Sequence, residues 1–459
     1  MTRFLKKILR PLLPFFGGKK VLKDMGTTSV FSVLGRMLGL VIPFLIAAWY
    51  PTGPGTDAFF LAYGLILWGQ IVVTNILENG VVPFIHEQEA HGINLERSVS
   101  NLMIGITKFL VAACLVITAG VFIFFNFCTS LQKEAVILAF CLFLEMLPTL
   151  FFTTWISILN GGLNARKHFH VAAVSPMIRS IFVIASALMF RRTLGMHAVA
   201  LGYLSGELLR LLLTFCYSHN YISPIKLEYD SSIRITPFFK RLALQTAAFA
   251  VLCSLGFINQ AIATYAGPGE LTLYTIGERL RNVPQILMLS SVIAVVYSHW
   301  SHEYSGLKKG FRWADEIKLM LGLITVTAVA VAIMVYFRSP LAHLAVGRGE
   351  FPEEKISVVA HLFAWLAAGL VFDVPALLAI RLFMIYHKDR AYLFSALARI
   401  TVTTAGNIIF LPKYGIVGIA AITTGVNAFY AGALMMALYF IIPRAPKKSD
   451  SVDLKRKAD

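Results

Sequence analysis

Ionisable side chains interrupt several long apolar stretches of this sequence, and arginine is the most frequent of them. If those stretches cross a membrane, each such residue costs about 2.5–3.5 kcal/mol to insert and needs a partner or a function. Arginine suits a phosphate-bearing ligand, because its planar guanidinium donates two parallel hydrogen bonds to phosphate oxygens. The candidates are Arg36, Asp57, Glu78, Lys108, Glu145, Arg179, Glu207, Arg210, Glu278, Arg279, Arg281, Asp373, Arg381 and Arg399.

Two of these arginines have no obvious partner on their own stretch. Arg36 lies seven residues into the first apolar run, and Arg279 lies about nine residues into the eighth. We expect both to face a solvated cavity and to bind an anionic head group. The alternative is that they pair with Asp57 and Glu278. Asp57 itself follows Gly-Thr at the start of a run, so it fits a helix cap as well as a cavity residue.

Other charged residues have simpler explanations. Glu207 and Arg210 are three residues apart and can pair on one helix face. Arg381 lies near the end of a run, where a long side chain reaches the membrane interface. Arg179 and Arg399 occupy equivalent positions of a weak internal repeat, which fits matched structural roles as well as ligand binding.

Motifs of several enzyme classes are absent from the sequence. No G-x-x-x-x-G-K-[ST] phosphate loop occurs, and no Asp-rich pair typical of prenyl-transferring enzymes is present. His86 and His91 are five residues apart, which turns them about 140° from each other on a helix and separates them from a shared zinc face. The five cysteines have no CxxC spacing. These observations predict a protein that is not an enzyme and carries no metal or other cofactor.

The composition indicates an integral membrane protein. Hydrophobic residues make up 57% of the 459 residues and charged residues 14%, whereas a soluble domain has about 25% charged residues. Twelve apolar runs are long enough to span a bilayer. They lie at 29–50, 57–84, 98–127, 132–160, 168–190, 194–217, 238–264, 270–299, 314–337, 355–386, 390–411 and 415–442. The formal net charge of +17 favours anionic lipids of the inner leaflet, and not nucleic acid, as the partner.

Charge asymmetry predicts the topology. Loops on the side of the termini, together with the two ends, carry 26 Lys and Arg residues, and the opposite side carries 7. The positive-inside rule therefore predicts that both termini are cytoplasmic. The sequence is predicted to divide into four segments. They are a basic amphipathic segment over 1–28, a six-helix bundle over 29–234, a second six-helix bundle over 235–443 and a basic tail over 444–459.

A weak repeat relates the two predicted bundles. Gly-Pro-Gly occurs at 53–55 and again at 267–269, and residues 175–200 align with 395–420 at a constant shift of 220. Because six is an even number of spans, both copies of a six-helix repeat unit enter the membrane in the same orientation. We therefore expect an all-α membrane protein whose bundles are related by a pseudo-two-fold axis along the membrane normal, with a substrate site between them.

Three stretches of the sequence resemble the lipid II flippase family (MurJ/MviN) of the multidrug/oligosaccharidyl-lipid/polysaccharide exporter superfamily. The first is G-R-M-L-G-L at 35–40, followed by T-D-A-F-F at 56–60 and Val82-Pro83. The second is the segment 274–284, in which Arg279-Leu280 precedes Pro284, and the third is N-I-I-F at 407–410 with Y-G-I at 414–416.

The resemblance implies transport by alternating access and a cationic cavity that binds the diphosphate and sugars of an undecaprenyl-diphosphate-linked saccharide. Carried over by motif, it assigns substrate contacts to Arg36, Arg279 and Asp57, with Glu78, Arg281 and Arg179 as further candidates. It also matches Asn407 to an ion ligand of the family, although Leu411 stands where an acidic partner is expected. Ile42-Pro43 and Gln70 stand where the family has charged residues.

The leading prediction is a monomeric flippase in the bacterial cytoplasmic membrane. Its substrate would be lipid II or a repeat unit of an exopolysaccharide or capsule, and its energy would come from Na⁺, H⁺ or the membrane potential. A cation-coupled multidrug exporter of the same superfamily is the alternative, with Glu145, Glu207 and Asp373 as its carboxylates. A membrane-embedded enzyme or a scaffold for polymer synthesis is the third class.

Overall fold

The computed structural model describes residue 35 and residues 38–168, 170–222, 229–230, 233, 235–286, 290–304, 311, 313–349 and 351–442. Arg36, the predicted amphipathic segment 1–28 and the predicted tail 444–459 lie outside the described residues.

Helices account for nearly all of the described chain, and no β-strand occurs in that part of it. In chain order they are α1 (Leu38–Trp49), α2 (Pro54–Ala90), α3 (Leu95–Phe127), α4 (Lys133–Met146), α5 (Pro148–Ala165), α6 (His170–Leu194), α7 (His197–His219), α8 (Thr236–Ala263), α9 (Glu270–Pro284), α10 (Ser290–Tyr304), α11 (Trp313–Tyr336), α12 (Arg338–Val346), α13 (Glu353–Ala368), α14 (Leu370–Ile385) and α15 (Asp389–Ile441).

Nine helical stretches within the described ranges are long and apolar enough to cross a membrane. Two of them combine paired helices, α4 with α5 and α13 with α14, and α15 contains the last two apolar runs joined across a kink. The first run corresponds to the shorter α1, and the eighth corresponds to α9, which ends at Pro284, and to α10. The prediction of an all-helical, multi-pass protein is confirmed.

The kink in α15 has a counterpart in the first half of the sequence. Gly415 has φ 58° and Gly195 has φ 54°, and the two glycines are equivalent in the repeat. Both lie where the chain reverses between two helices. A left-handed φ is strained for residues with a Cβ atom, so glycine is favoured at both turns.

Polar side chains on α6 and α7 form a cluster in the first half of the sequence. The Nη1 atom of Arg179 lies 2.9 Å from Oε1 of Glu207, and Nη1 of Arg210 lies 3.3 Å from the same oxygen. The Nε–H group of Arg210 donates to Oγ of Ser175 at 3.1 Å. The predicted pairing of Glu207 with Arg210 is confirmed.

The corresponding cluster in the second half occupies the same positions shifted by 220 residues. Ser395 and Tyr430 place their hydroxyl oxygens 3.4 Å apart, and the guanidinium carbon of Arg399 lies 4.9 Å from the centre of the Tyr430 ring. Tyr430 replaces Arg210, and Asn427 replaces Glu207. The repeat therefore preserves a polar cluster and its arginine. The first copy is held by ion pairs, and the second is held by contacts between uncharged groups and by a cation–π contact.

Packing divides the chain into two compact units. One comprises Met1–Ile42, Leu77–Thr107 and Phe151–Ile233, and the other comprises Pro43–Ile76, Lys108–Leu150 and Arg234–Asp459. In the second unit, buried aromatic residues of α10, α14 and α15, including Trp300, Phe383 and Tyr392, form one hydrophobic core. The predicted boundary between six-helix bundles at 234/235 stays a prediction.

Candidate functional site

The two Gly-Pro-Gly segments lie at the N-termini of α2 and α9 and meet in the second compact unit. A Cβ atom added to Gly269 would lie 3.5 Å from the backbone nitrogen of Gly53. Thr56 holds the first segment, since its hydroxyl accepts from the Gly53 N–H group at 3.0 Å and donates to the Gly53 carbonyl at 2.9 Å. This places Asp57, the next residue, beside the N-terminus of α9.

Asp57 caps α9, which is not its own helix. One carboxylate oxygen accepts from the Gly269 N–H group at 2.6 Å, and the other accepts from the N–H group of Thr272 at 2.8 Å and its hydroxyl at 2.6 Å. The side chain is only 1% exposed. A carboxylate at a helix N-terminus satisfies free N–H groups and interacts favourably with the helix dipole. Asp57 thus joins α2 and α9, which occupy equivalent positions in the two halves of the repeat.

Arg279 lies two turns into α9 and has no carboxylate partner among the described residues. Its guanidinium carbon is 5.9 Å from the centre of the Tyr63 ring on α2. The side chain is half-buried, and its buried Nε–H group has no hydrogen-bond partner in the described part of the chain. The alternative prediction is that the two arginines pair with Asp57 and Glu278. Among the described residues neither carboxylate forms an ion pair with Arg279, and Asp57 is engaged by Gly269 and Thr272.

Arg281 differs from Arg279 in that it forms an ion pair. It donates to one carboxylate oxygen of Asp373, and the amide of Asn427 donates to the other at 2.5 Å. Asp373 is 6% exposed. Because both oxygens are occupied and the charges are matched, this group acts as a buried link among α9, α14 and α15.

A cavity of about 290 Å³ lies beside this ion pair, within the second compact unit. Its charged lining residues are two acids and two bases: Glu278, Asp373, Arg281 and Arg399. The lining is therefore balanced in charge. A cationic excess for an anionic ligand has to come from a residue outside this set, and Arg279 is such a residue.

Arg179 and Glu78 belong to the first compact unit. Arg179 is held by Glu207, which is fully buried. Glu78 on α2 is exposed, and it attracts Arg210 of the same cluster electrostatically. Within the first unit, these two candidates therefore lie around a network of internal charges.

Asn407 lies in a buried network of uncharged groups. Its amide donates to Oδ1 of Asn259 at 2.8 Å, and the amide of Asn259 donates to the hydroxyls of Tyr274 at 3.1 Å and Thr423 at 3.2 Å. The Oδ1 atom of Asn407 is buried and has no hydrogen-bond partner among the described residues. Leu411, one turn further, is apolar, so this network contains no carboxylate that would balance a cation.

A family model described as lipid II flippase MurJ matches residues 17–454. The chain belongs to the lipid II flippase MurJ family. This is a family of membrane transporters and not of enzymes. The match includes the motifs around Asp57 and Arg279 whose geometry is described above.

Curated relatives and solved structures agree with this assignment. The chain is 24% identical to the lipid II flippase MurJ of Burkholderia cenocepacia over 88% of this chain and 80% of the relative. It is 24% identical to a probable lipid II flippase MurJ of Rhizobium meliloti over 79% of this chain and 70% of the relative.

Among solved structures, a lipid II flippase MurJ in an inward closed conformation matches with TM-score 0.75 and 18% identity over 90% of this chain and 87% of that one. An inward-facing multidrug resistance MATE family transporter matches with TM-score 0.72 and 14% identity over 88% of this chain and 93% of that one. These matches confirm the predicted all-helical transporter fold of this MurJ family member.

Sequence reasoning missed three features of this MurJ family member. Tyr63 is an aromatic residue in an apolar run, and nothing in its spacing indicates a contact with Arg279. Asn259 and Thr423 are uncharged and were not candidates. Gln70, at a position where the family has a charge, donates to Thr149 at 3.0 Å inside the second unit. Buried amides and hydroxyls within apolar runs are the signal that could have indicated such networks.

Proposed function

We propose that this chain is a flippase that moves a polyprenyl-diphosphate-linked saccharide across the bacterial cytoplasmic membrane. Arg279 carries the proposal: it is a half-buried arginine with no carboxylate partner among the described residues, held only by an aromatic face. A diphosphate can accept the donors that this guanidinium leaves free. The names of the curated relatives support lipid II as the saccharide, and an exopolysaccharide or capsule repeat unit has the same diphosphate.

The proposed mechanism is alternating access by rocking of segment 29–217 against segment 238–442. Asp57 on α2 and the N-terminus of α9 would form the contact that closes one side, because they belong to different halves of the repeat and are joined by three hydrogen bonds. The topology predicted from the charges places both termini in the cytoplasm and this contact on the outer side. Arg36, which lies outside the described residues, stays a predicted substrate contact.

The test is binding of a polyprenyl-diphosphate saccharide to purified Arg279→Ala, followed by transport in proteoliposomes. Loss of charge-assisted hydrogen bonds of about 1.5–3 kcal/mol weakens binding roughly ten- to a hundred-fold. Lysine at this position restores only part of the affinity, because it keeps the charge and loses the planar fork.

The matched control is Arg381→Ala. Arg381 is also half-buried and stacks on a tyrosine, with its guanidinium carbon 4.9 Å from the Tyr297 ring, and it lies on α14 and not on α9. The control retains wild-type affinity. Unchanged affinity of Arg279→Ala contradicts the site, and transport of organic cations without saccharide binding favours the multidrug exporter.

A further inference from the structure

Three side chains with metal-ligand chemistry meet where α10 ends and α11 begins. His299 and Glu303 are four residues apart on one face of α10, with Nε2 of the imidazole 3.2 Å from a carboxylate oxygen. Glu316 lies near the start of α11. One ligand atom from each residue lies within 4.8 Å of the other two. All three belong to the second compact unit, on helices other than α2 and α9.

Glu316 is a buried carboxylate whose hydrogen-bond donors are neutral. It is 6% exposed, and it accepts from the Trp300 indole N–H at 2.7 Å and from the Tyr304 hydroxyl at 2.9 Å. Among the described residues, no lysine or arginine forms an ion pair with it. A buried charge is costly unless it is paired or coordinates a metal, so a cation bound at this carboxylate would lower that cost.

Aromatic rings fix the position of this carboxylate. Trp300 and Tyr304 are almost fully buried, and each packs against Phe311, at ring-centre distances of 5.7 Å and 5.0 Å. Hydrogen bonds from fixed groups to a ligating carboxylate are the usual second layer of a metal site, since they orient the ligand before the ion arrives. His299 is exposed and Glu303 is half-buried, which leaves an entry path from solvent.

We propose that His299, Glu303 and Glu316 bind a divalent transition cation that clips the end of α10 to the start of α11. Imidazole nitrogen with carboxylate oxygens suits Zn²⁺ and its analogue Co²⁺. Three protein ligands leave the fourth tetrahedral position for water. The ion supplies a positive charge beside the buried Glu316, and it connects two helices whose intervening chain runs from 305 to 312.

The experiment uses the full-length, tag-free protein in detergent, treated with EDTA and then freed of chelator. Zn²⁺ binding is measured by titration calorimetry, and Co²⁺ binding is measured by its visible absorption. We expect one saturable site. His299→Ala removes an exposed ligand without opening the core, and it lowers the Zn²⁺ affinity by at least about tenfold.

Further variants distinguish a metal site from a purely structural cluster. Trp300→Phe keeps the ring and removes the indole donor, so it weakens Zn²⁺ binding about ten- to a hundred-fold as a second-layer change. His86→Ala is the matched control, because His86 also pairs with a glutamate on its helix, at 3.3 Å, but that glutamate already binds Arg166.

The proposal is overturned if no saturable Zn²⁺ or Co²⁺ binding occurs, or if His299→Ala and Glu303→Gln leave the binding unchanged. We expect the control His86→Ala to bind Zn²⁺ with the affinity of the parent protein. Loss of binding in His86→Ala equal to that in His299→Ala would assign the ion elsewhere on the chain and would also overturn it.

Discussion

The contact between Asp57 and α9 provides a sharp test of how the protein closes. Asp57→Asn preserves the size of the side chain and replaces one acceptor oxygen by an NH₂ donor. The remaining oxygen can accept from Thr272 or from Gly269, but the three bonds of 2.6–2.8 Å observed with the carboxylate cannot all persist. The variant also loses the negative charge at the N-terminus of α9.

The expected loss follows from these contacts. One hydrogen bond to a charged group contributes about 1.5–3 kcal/mol, and the interaction of a charge with the helix dipole adds about 0.3–1 kcal/mol. The contact is therefore weakened by about 2–4 kcal/mol. At about 1.4 kcal/mol per factor of ten, the equilibrium shifts roughly 30- to 700-fold toward the open contact.

The readout is the labelling rate of a cysteine introduced at Thr275 in a background without the five native cysteines. Thr275 is fully buried one turn further along α9, so a maleimide reaches it only when this end of the helix separates from its neighbours. Asp57→Asn raises the labelling rate at least tenfold.

The matched control for Asp57→Asn is Glu353→Gln. Glu353 is an exposed acidic residue in the first turn of α13, and its removal leaves the labelling rate at Thr275→Cys unchanged. A rate in Asp57→Asn within twofold of the parent, in protein that elutes as a folded monodisperse species, would refute the assignment of Asp57 as the residue that holds this contact closed.

Two further predictions concern the interior of the second unit. Arg281→Ala leaves Asp373 buried without its cation, which costs about 3–5 kcal/mol and lowers the thermal unfolding midpoint in detergent. Replacement of both Arg281 and Asp373 by apolar residues restores most of the unfolding midpoint. A double variant whose midpoint is as low as that of Arg281→Ala contradicts a buried ion pair. Transport in proteoliposomes continues when K⁺ replaces Na⁺, because the hydrogen-bonded network of Asn407, Asn259 and Tyr274 contains only uncharged groups. A strict Na⁺ requirement contradicts this prediction.

The sequence by itself determined the features that depend on local composition and spacing. Apolar runs longer than a bilayer core predict membrane helices, and the helices are found there. The spacing of Glu207 and Arg210 predicts a pair on one face, and the two residues lie 3.3 Å apart. The repeat shift of 220 aligns positions 195 and 415, and Gly195 and Gly415 adopt the same left-handed φ. The first two features depend on residues within one turn or one run, and the third depends on the similarity of two segments of the sequence.

The tertiary structure decided which partner each charged residue takes. Asp57 is 212 positions from Gly269, and its own neighbours allow a cap of α2 or a cavity residue equally well. Arg279 and Arg281 are two residues apart and similar in sequence context, yet one stacks on Tyr63 while the other pairs with Asp373, 92 positions away. The direction in which a side chain leaves its helix separates these two roles.

Tertiary packing also assembles the buried polar networks. The types of His299, Glu303 and Glu316 can be read from the sequence. Glu316 joins the other two only because the fold brings the start of α11 to the end of α10, where Trp300 and Tyr304 donate to its carboxylate. The chemistry of a side chain is a property of its residue type and is therefore known from the sequence. The free energy of burying a charge depends on its surroundings after packing, and those surroundings exist only in the folded chain.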